Sequence, residues 1–310
     1  MNAATGSVIA LDVGGTRLKG GVYGTGGDEL YTHAWITHRR GGPEAVVVAV
    51  LDVLDELRQH PAARAAESCG LAAPGIVDKV RGYALWSENL GWRDVPLRRL
   101  AEERTGLPVA LGHDVRAGGL AEARLGAARG VDNALFVPIG TGIGAAIIAD
   151  GHVVDGGGMA GELGHVDVGH DERCACGSRG CLEAIASASG IARRYALRSG
   201  SAVDGAAEVA RRARSGDAVA IEVWDEAVDA LAAALTTACA LLAPQVIVLG
   251  GGLSQAGDQL VVPLEERLRA RLTFHRRPRV VTAVLGDRAG CLGASLLARE
   301  LLLDDGGARR

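Results

Sequence analysis

Three of the six cysteines of this 310-residue chain fall within eight residues, in the stretch GELGHVDVGHDERCACGSRGCLE that runs from Gly161 to Glu183. Cys174, Cys176 and Cys181 form a C-x-C-x4-C pattern on a glycine-containing turn, and His165 stands nine residues ahead of the first thiol. Three thiolates and one imidazole make a closed tetrahedral Zn2+ site. A redox pair would instead show C-x-x-C beside a βαβ unit, and no such motif is present. His170 is the alternative imidazole, although the short stretch from it to Cys176 leaves little slack. Glu162, His165 and Glu183 flank the thiols. Such groups are either solvated charges or, on a loop stiffened by metal, acceptors for the hydroxyls of a polar ligand. Cys69, Cys239 and Cys291 lie in apolar segments and read as small core residues.

A second kind of chemistry is written in the glycines. In VIALDVGGTRLKGGVYG, Val8 to Gly24, an apolar strand reaches Asp12, turns through Gly14-Gly15-Thr16 and continues as an alternating strand. ALFVPIGTGIGAAIIADG, Ala134 to Gly151, repeats the design 126 residues later with its turn at Gly140-Thr141-Gly142. These are not Walker or Rossmann loops, because the glycines join two strands and open no helix. Bare glycine tips with a threonine still offer backbone N–H groups and a hydroxyl to phosphate oxygens; the plainer reading is a tight hairpin. Gly250-Gly251-Gly252 follows the strand QVIVL and precedes a helix from about Ala256, a step that suits a nucleotide base or phosphate. Asp114 closes LPVALGHD, a strand from Pro108 to Leu111 that runs into a helix. A carboxylate there is either a helix cap or a base aimed at a ligand.

The elements that must hold these groups follow from the repeat. Its period is too long for a solenoid, so one α/β module is used twice, giving two related domains with a cleft between them. The chain is also long enough for two domains. Pro43 opens a helix with a broad apolar face, a largely buried helix ends before Pro244, and DRAGCLGASLLARELLL forms a closing helix. In that last helix Gly290 and Gly293 allow close approach of another element. ALWSENLGW, Ala84 to Trp92, is polar and aromatic in an aromatic-poor chain, the composition of a ligand-contacting loop.

Composition narrows the function. With 48% apolar and 23% charged residues the chain is globular, and a net charge of −4 with pI about 6.1 argues against a dedicated nucleic-acid binder. Only Lys19 and Lys79 are lysines, so arginine abundance reflects coding bias and carries no functional weight. The N-terminus lacks the features of a signal peptide, and the longest uncharged apolar run, Ala230 to Ala243, is too short to span a bilayer. A cytoplasmic protein with reduced thiols is expected.

Taken together the motifs resemble the ROK family of sugar kinases and repressors, within the actin-like ATPase superfamily. The matching pieces are Asp12-Val-Gly-Gly-Thr16, Ile139-Gly-Thr-Gly-Ile-Gly144, Gly161-Glu-Leu-Gly-His165 and Cys174-Ala-Cys-Gly-Ser-Arg-Gly-Cys-Leu-Glu183. Gly250-Gly-Gly-Leu-Ser254 and Gly286-Asp-Arg-Ala-Gly290 also fit, all in order and over nearly the whole chain. The resemblance implies a duplicated actin-like (ribonuclease H-like) α/β fold with an interdomain cleft. Residues 1–115 would form a smaller N-terminal domain, with a C-terminal helix at about 290–303 packing back onto it. Residues 116–289 would form a larger domain carrying the zinc loop. It implies ATP and Mg2+ held by Asp12, Gly14, Gly15, Thr16, Lys19, Gly140, Thr141, Gly142, Gly250, Gly251 and Gly252. It places zinc on His165, Cys174, Cys176 and Cys181, and a hexose against Gly75, Asn89, His113, Asp114, Glu162, His165 and Glu183. Asp114 would take the proton of the sugar 6-hydroxyl while the γ-phosphoryl group passes in line. A homodimer or homotetramer without nucleic-acid or membrane partners is expected.

Two departures from the family pattern bear on this expectation. His113 stands where the family has asparagine, and the loop from His165 to Cys174 is one residue shorter. The first puts the choice of hexose in play: glucose, another hexose or an N-acetylhexosamine, or sugar binding with weak or no catalysis. Family repressors carry a helix-turn-helix ahead of the first glycine turn; with seven residues before Val8, a kinase and not a repressor is expected.

Overall fold

The computed structural model describes residues 6–307. They divide into two compact units, one of residues 6–121, 155–159 and 287–307, the other of residues 122–154 and 160–286.

In the first unit, Ser7–Val13 (β1) is an apolar run buried on both faces, the pattern of a central strand. It turns into Arg17–Tyr23 (β2) and then Glu29–Ile36 (β3), each antiparallel to the one before. Gly42–Gln59 (α1) has Pro43 in its first turn and buries Val46, Val50, Val53, Leu54 and Leu57, a stripe at helical spacing. Ala66–Ala73 (β4) pairs parallel to β1. Ile76–Asp78 (β5), Tyr83–Ser87 (β6) and Trp92–Val95 (β7) form a separate antiparallel sheet. The stretch from Ala84 to Trp92 is thus a β-hairpin: Trp92 is wholly buried, whereas Trp86 and the tip around Glu88 and Asn89 face solvent. Leu97–Thr105 (α2) leads to Val109–His113 (β8), which pairs parallel to β4 and runs directly into Asp114–Leu125 (α3). The main sheet has the order β3-β2-β1-β4-β8.

The second unit repeats this plan. Ala134–Pro138 (β9), Ala146–Ala149 (β10) and His152–Val153 (β11) are successively antiparallel. Four helices follow: Leu182–Ala186 (α4), Ala188–Ser199 (α5), Ala206–Arg214 (α6) and Ala218–Leu242 (α7). Val246–Gly250 (β12) pairs parallel to β9, and after Asp258–Arg271 (α8), Arg279–Thr282 (β13) pairs parallel to β12. The order β11-β10-β9-β12-β13 and its strand senses match the first sheet, strand for strand. The glycine turns expected as equivalent therefore sit at equivalent places, between the first two strands of each sheet.

Each unit has its own core. In the first it includes Ile9, Leu11, Leu54, Leu71 and Trp92, in the second Val137, Tyr195, Trp224, Leu235 and Leu249. Cys69, Cys239 and Cys291 are buried, and burial pushes the Cys69 thiol up to about 12 and that of Cys239 to about 11, as for inert core thiols. Ala289–Gly307 (α9) belongs to the first unit and packs on β1, β4 and β8. Side chains at Gly290 and Gly293 would run into the Asp12 carboxylate and the Ala117 carbonyl, so these glycines are what let the helix lie so close. Among the described residues no helix is long and apolar enough to cross a membrane.

Candidate active site

The parallel strands β1, β4 and β8 place four expected residues of the first unit at their ends: Asp12 near the end of β1, Gly75 beyond β4, and His113 and Asp114 where β8 becomes α3. Gly75 adopts φ +98°, and any side chain would strike the Trp86 carbonyl, so the chain can make this bend only with glycine. Gly14, Gly15 and Thr16 form the β1–β2 turn, closed by a 3.0 Å bond from the Gly14 N–H to the Arg17 carbonyl. Thr37, unremarked in the sequence, buttresses it: its hydroxyl donates to the Gly14 carbonyl at 2.7 Å and its N–H to the Thr16 carbonyl at 3.0 Å. Asn89 sits beside Gly15, held through its carbonyl by Arg39 Nη1 at 3.2 Å.

The carboxylates of this unit influence one another. Burial, then the charge of Asp114, pushes the Asp12 carboxyl up to about 7, against the pull of Lys19 and with a further push from Asp287. Lys19 Nζ lies 3.2 Å from Asp287 Oδ2, so in this arrangement its charge is shared between two aspartates. Asp114 Oδ1 accepts the Val115 N–H at 2.7 Å and lies 3.4 Å from His113 Nδ1. Both contacts fall on one oxygen, so Oδ2 is the atom able to receive a proton from a ligand. His113 is mostly buried and Asp114 about one-third exposed.

In the second unit, the Gly140-Thr141-Gly142 turn follows β9 and the Gly250-Gly251-Gly252 run follows β12, its parallel neighbour. Ile139 joins them: its N–H donates to the Gly250 carbonyl at 2.9 Å, and its carbonyl accepts the Leu253 N–H at 3.1 Å. Ser189 Oγ donates to the Thr141 carbonyl, and the Ala188 N–H to the Gly140 carbonyl at 2.8 Å. Beside Gly252 opens a cavity of about 290 Å³, lined among others by Ala188, Gly205, Trp224, Leu253 and Gln255. Its size and mixed lining suit a planar base.

The cysteine knuckle is also in the second unit. His165, Cys174, Cys176 and Cys181 bring one ligand atom each within 4.8 Å of one another. His165 Nδ1 is 3.7 Å from Cys174 Sγ, and Cys176 Sγ is 3.7 Å from Cys181 Sγ. With Zn–S bonds of about 2.3 Å, a tetrahedral S···S edge is about 3.8 Å, so the Cys176–Cys181 pair already stands at that spacing, and the four groups, within 4.8 Å of one another, need only draw slightly together around a tetrahedral Zn2+. The backbone N–H of Ser178 leads the effects that draw the Cys176 thiol down to about 7, while burial and the neighbouring thiols push that of Cys181 up to about 12, so Cys176 is the readier of the two to give the thiolate a metal needs. His170, the alternative ligand, is otherwise engaged. Its Nδ1 accepts the Glu172 N–H at 3.0 Å, which leaves Nε2 protonated to donate to the Cys181 carbonyl at 3.1 Å. It fastens the knuckle rather than ligating.

The groups flanking the knuckle are placed unequally. Glu162 is exposed, with Oε2 4.0 Å from His165 Nε2, the ring nitrogen turned away from the thiols. Glu183 Oε2 accepts the Ile143 N–H at 2.8 Å and lies against Gly142. One of its oxygens therefore braces the glycine turn, a role the sequence did not reveal. Thr37 and Ser189, and the bracing role of His170, escape sequence reasoning for a common reason: each acts through backbone atoms of a segment distant in the chain or folded back on it.

Comparison with known proteins follows the same lines. The ROK family model matches residues 8–301. A glucokinase of Halalkalibacterium halodurans is 34% identical, over 94% of each chain. The solved structure of a ROK hexokinase from Thermus thermophilus is 34% identical with a TM-score of 0.86, covering 96% of this chain and 99% of the other. A ROK family glucokinase from Streptomyces griseus, solved in complex with glucose and AMPPNP, is 32% identical with a TM-score of 0.81, covering 95% of this chain and all of that one.

Proposed function

From the premise that the chain belongs to the ROK family, with the actin-like fold of its hexokinases, we propose that it is a phosphotransferase moving the γ-phosphoryl group of ATP to the 6-hydroxyl of a hexose, glucose foremost. The observation that carries this reading is Asp114. Its Oδ1 is tied to the Val115 N–H at a strand-to-helix junction and its side chain is part-exposed, which leaves Oδ2 as the oxygen to accept a proton in the unit that holds Asp12 and the first glycine turn. The Streptomyces griseus glucokinase, bound to glucose and a nucleotide analogue, supports both substrates.

In this reading Asp114 Oδ2 orients the sugar 6-hydroxyl and receives its proton as that oxygen bonds to phosphorus and the bond to the ADP oxygen breaks. Asn89, the backbone at Gly75, Glu162, His165 through Nε2 and Glu183 through Oε1 hold the remaining hydroxyls. The backbone amides of Gly15–Thr16 and Thr141–Gly142 face the phosphates, with Lys19, those of Gly14 and Gly140 being spent on closing their own turns, and the cavity beside Gly252 receives the base. Bound Mg2+ would neutralise charge on the phosphate oxygens, and Asp12, a carboxylate raised by its burial and by the charge of Asp114, is the residue suited to hold it. His165 and the three cysteines would hold a structural Zn2+ whose contribution is to stiffen the loop carrying Glu162 and His165.

Asp114→Asn should leave glucose binding by calorimetry nearly intact while kcat falls about 10²-fold or more. An unchanged kcat would place the base elsewhere. A second reading, preference for another hexose or weak catalysis, is favoured by His113 lying 3.4 Å from Asp114. A panel of glucose, mannose and N-acetylglucosamine, each with ATP or polyphosphate, separates the two.

A further inference from the structure

The reading above leaves one buried charge unexplained. Arg116 lies in the first turn of α3, two residues after Asp114, with its side chain only 7% exposed. A cation there is doubly disfavoured, by lost hydration and by the positive end of the helix dipole. Its contacts show what holds it. Nη1 and Nη2 both donate to the Gly158 carbonyl at 3.3 Å, and Nε lies 3.6 Å from Asp155 Oδ1. Asp155 in turn accepts the Gly158 N–H through Oδ2 at 3.2 Å, and Lys79 Nζ lies 3.9 Å from its Oδ1.

The clasped segment is unusual in itself. Residues 155–159 belong to the first unit, although the chain before and after them belongs to the second. Gly156, Gly157 and Gly158 have φ of 58°, 65° and 88°, three left-handed residues in succession. A side chain at Gly158 would stand 2.5 Å from the Val77 carbonyl on β5, so the segment is pressed onto that strand. A run of glycines has much conformational freedom to lose, and the clasp removes it. Glu162 and His165 follow Met159 by three and six residues. Three residues span at most about 11 Å, so wherever the segment is fixed, Glu162 must lie close by.

We propose that Arg116 is a positioning residue for the sugar: by clasping Gly158 and Asp155 it fixes, beside the helix that begins at Asp114, the point from which the chain departs toward Glu162 and His165. This rests on the reading of Asp114, Glu162 and His165 as sugar-binding groups. Its consequence is selective. Loosening the clasp blurs the placement of the acceptor and leaves the nucleotide side untouched.

The test compares wild type, Arg116→Ala, Arg116→Lys and Asp155→Asn by steady-state kinetics with ATP and the hexose of highest kcat/KM, and by hydrogen exchange of residues 156–162. Arg116→Ala should raise the sugar KM about tenfold or more, leave the ATP KM within about twofold, and accelerate exchange in 156–162 alone. Arg116→Lys, which keeps one donor and the charge, should recover part of the sugar KM. If Arg116→Ala does not fold, Asp155→Asn carries the test: it removes the charge facing Arg116 while its amide oxygen can still accept the Gly158 N–H, and should raise the sugar KM about threefold. Sugar and ATP KM values rising together, or unchanged exchange in 156–162, would overturn the clasp. A wild-type chain that phosphorylates no hexose would instead overturn the reading of the site, with the exchange measurement still deciding whether the clasp exists.

Discussion

Two residues carry the electrostatics of the proposed site. Asp12 is raised to about 7, chiefly by burial, whereas an aspartate in an unfolded chain titrates near 4. The folded form therefore binds a proton that the unfolded form releases. Ionised Asp12 costs stability progressively above about pH 4, and the full cost, on the order of a few kcal/mol, is present above pH 7. Asp12→Asn should accordingly raise Tm at pH 8, with a gain that shrinks to nothing near pH 4, while abolishing Mg2+-dependent turnover; a gain equal at both values would mean Asp12 is not charged at the cost argued here. His113 acts at shorter range. Its imidazole presents a donor and an acceptor on opposite sides of a ring, unlike an amide, beside the oxygen of Asp114 that does not receive the proton. His113→Asn should change the ranking of kcat/KM among glucose, mannose and N-acetylglucosamine, and an unchanged ranking would show that His113 does not select the sugar.

At the scale of elements, the cysteine knuckle and the glycine turn of the second unit form one mechanical piece. Cys181 immediately precedes α4, and Glu183 in the first turn of α4 accepts the Ile143 N–H next to Gly142. Metal on Cys181 is thereby relayed through two residues to the turn that faces phosphate in the proposed reaction. Purified protein should contain about one equivalent of zinc. Cys176→Ala should lose the zinc and lower Tm together, because binding energy at such a site is also folding energy. The relay adds a sharper expectation: ATP binding should weaken in the same variant although no ATP-facing group has been changed. Zinc-free protein of undiminished Tm and ATP affinity would show the metal to be incidental.

At the scale of the whole molecule, the two sheets share order and strand sense, and the first is completed by α9 from the far end of the chain. α9 shows how close that completion is. A side chain at Gly293 would meet the Ala117 backbone carbonyl, which belongs to the helix of Asp114 and Arg116. Gly293→Val should therefore lower Tm sharply, since the obstacle is backbone that cannot turn aside, and should reduce kcat through displacement of α3. A Tm unchanged to within a few degrees would mean that the helix has room to withdraw.

What the amino-acid sequence determined by itself was everything written in local periodicity and short spacing. The apolar runs and their glycine turns marked β1, β2, β9 and β10. The repeat at 126 residues implied that the second sheet would copy the first, and the C-x-C-x4-C pattern singled out three thiols that do converge. These signals are legible because strand alternation, turn chemistry and ligand spacing all act over a few residues. Only the tertiary structure decided between His165 and His170, because both lie within chain reach of the thiols and the difference is which ring already has backbone partners. It alone turned the stretch from Ala84 to Trp92 into a hairpin with Trp92 in the core, and gave Glu183 a backbone donor 40 residues away. Arg116 is the clearest case. In sequence it is one more arginine on a helix in an arginine-rich chain, and only folding brings it to Gly158, 42 residues on, out of water and against a helix dipole. Burial and long-range hydrogen bonding depend on where distant segments meet, and no local pattern encodes that.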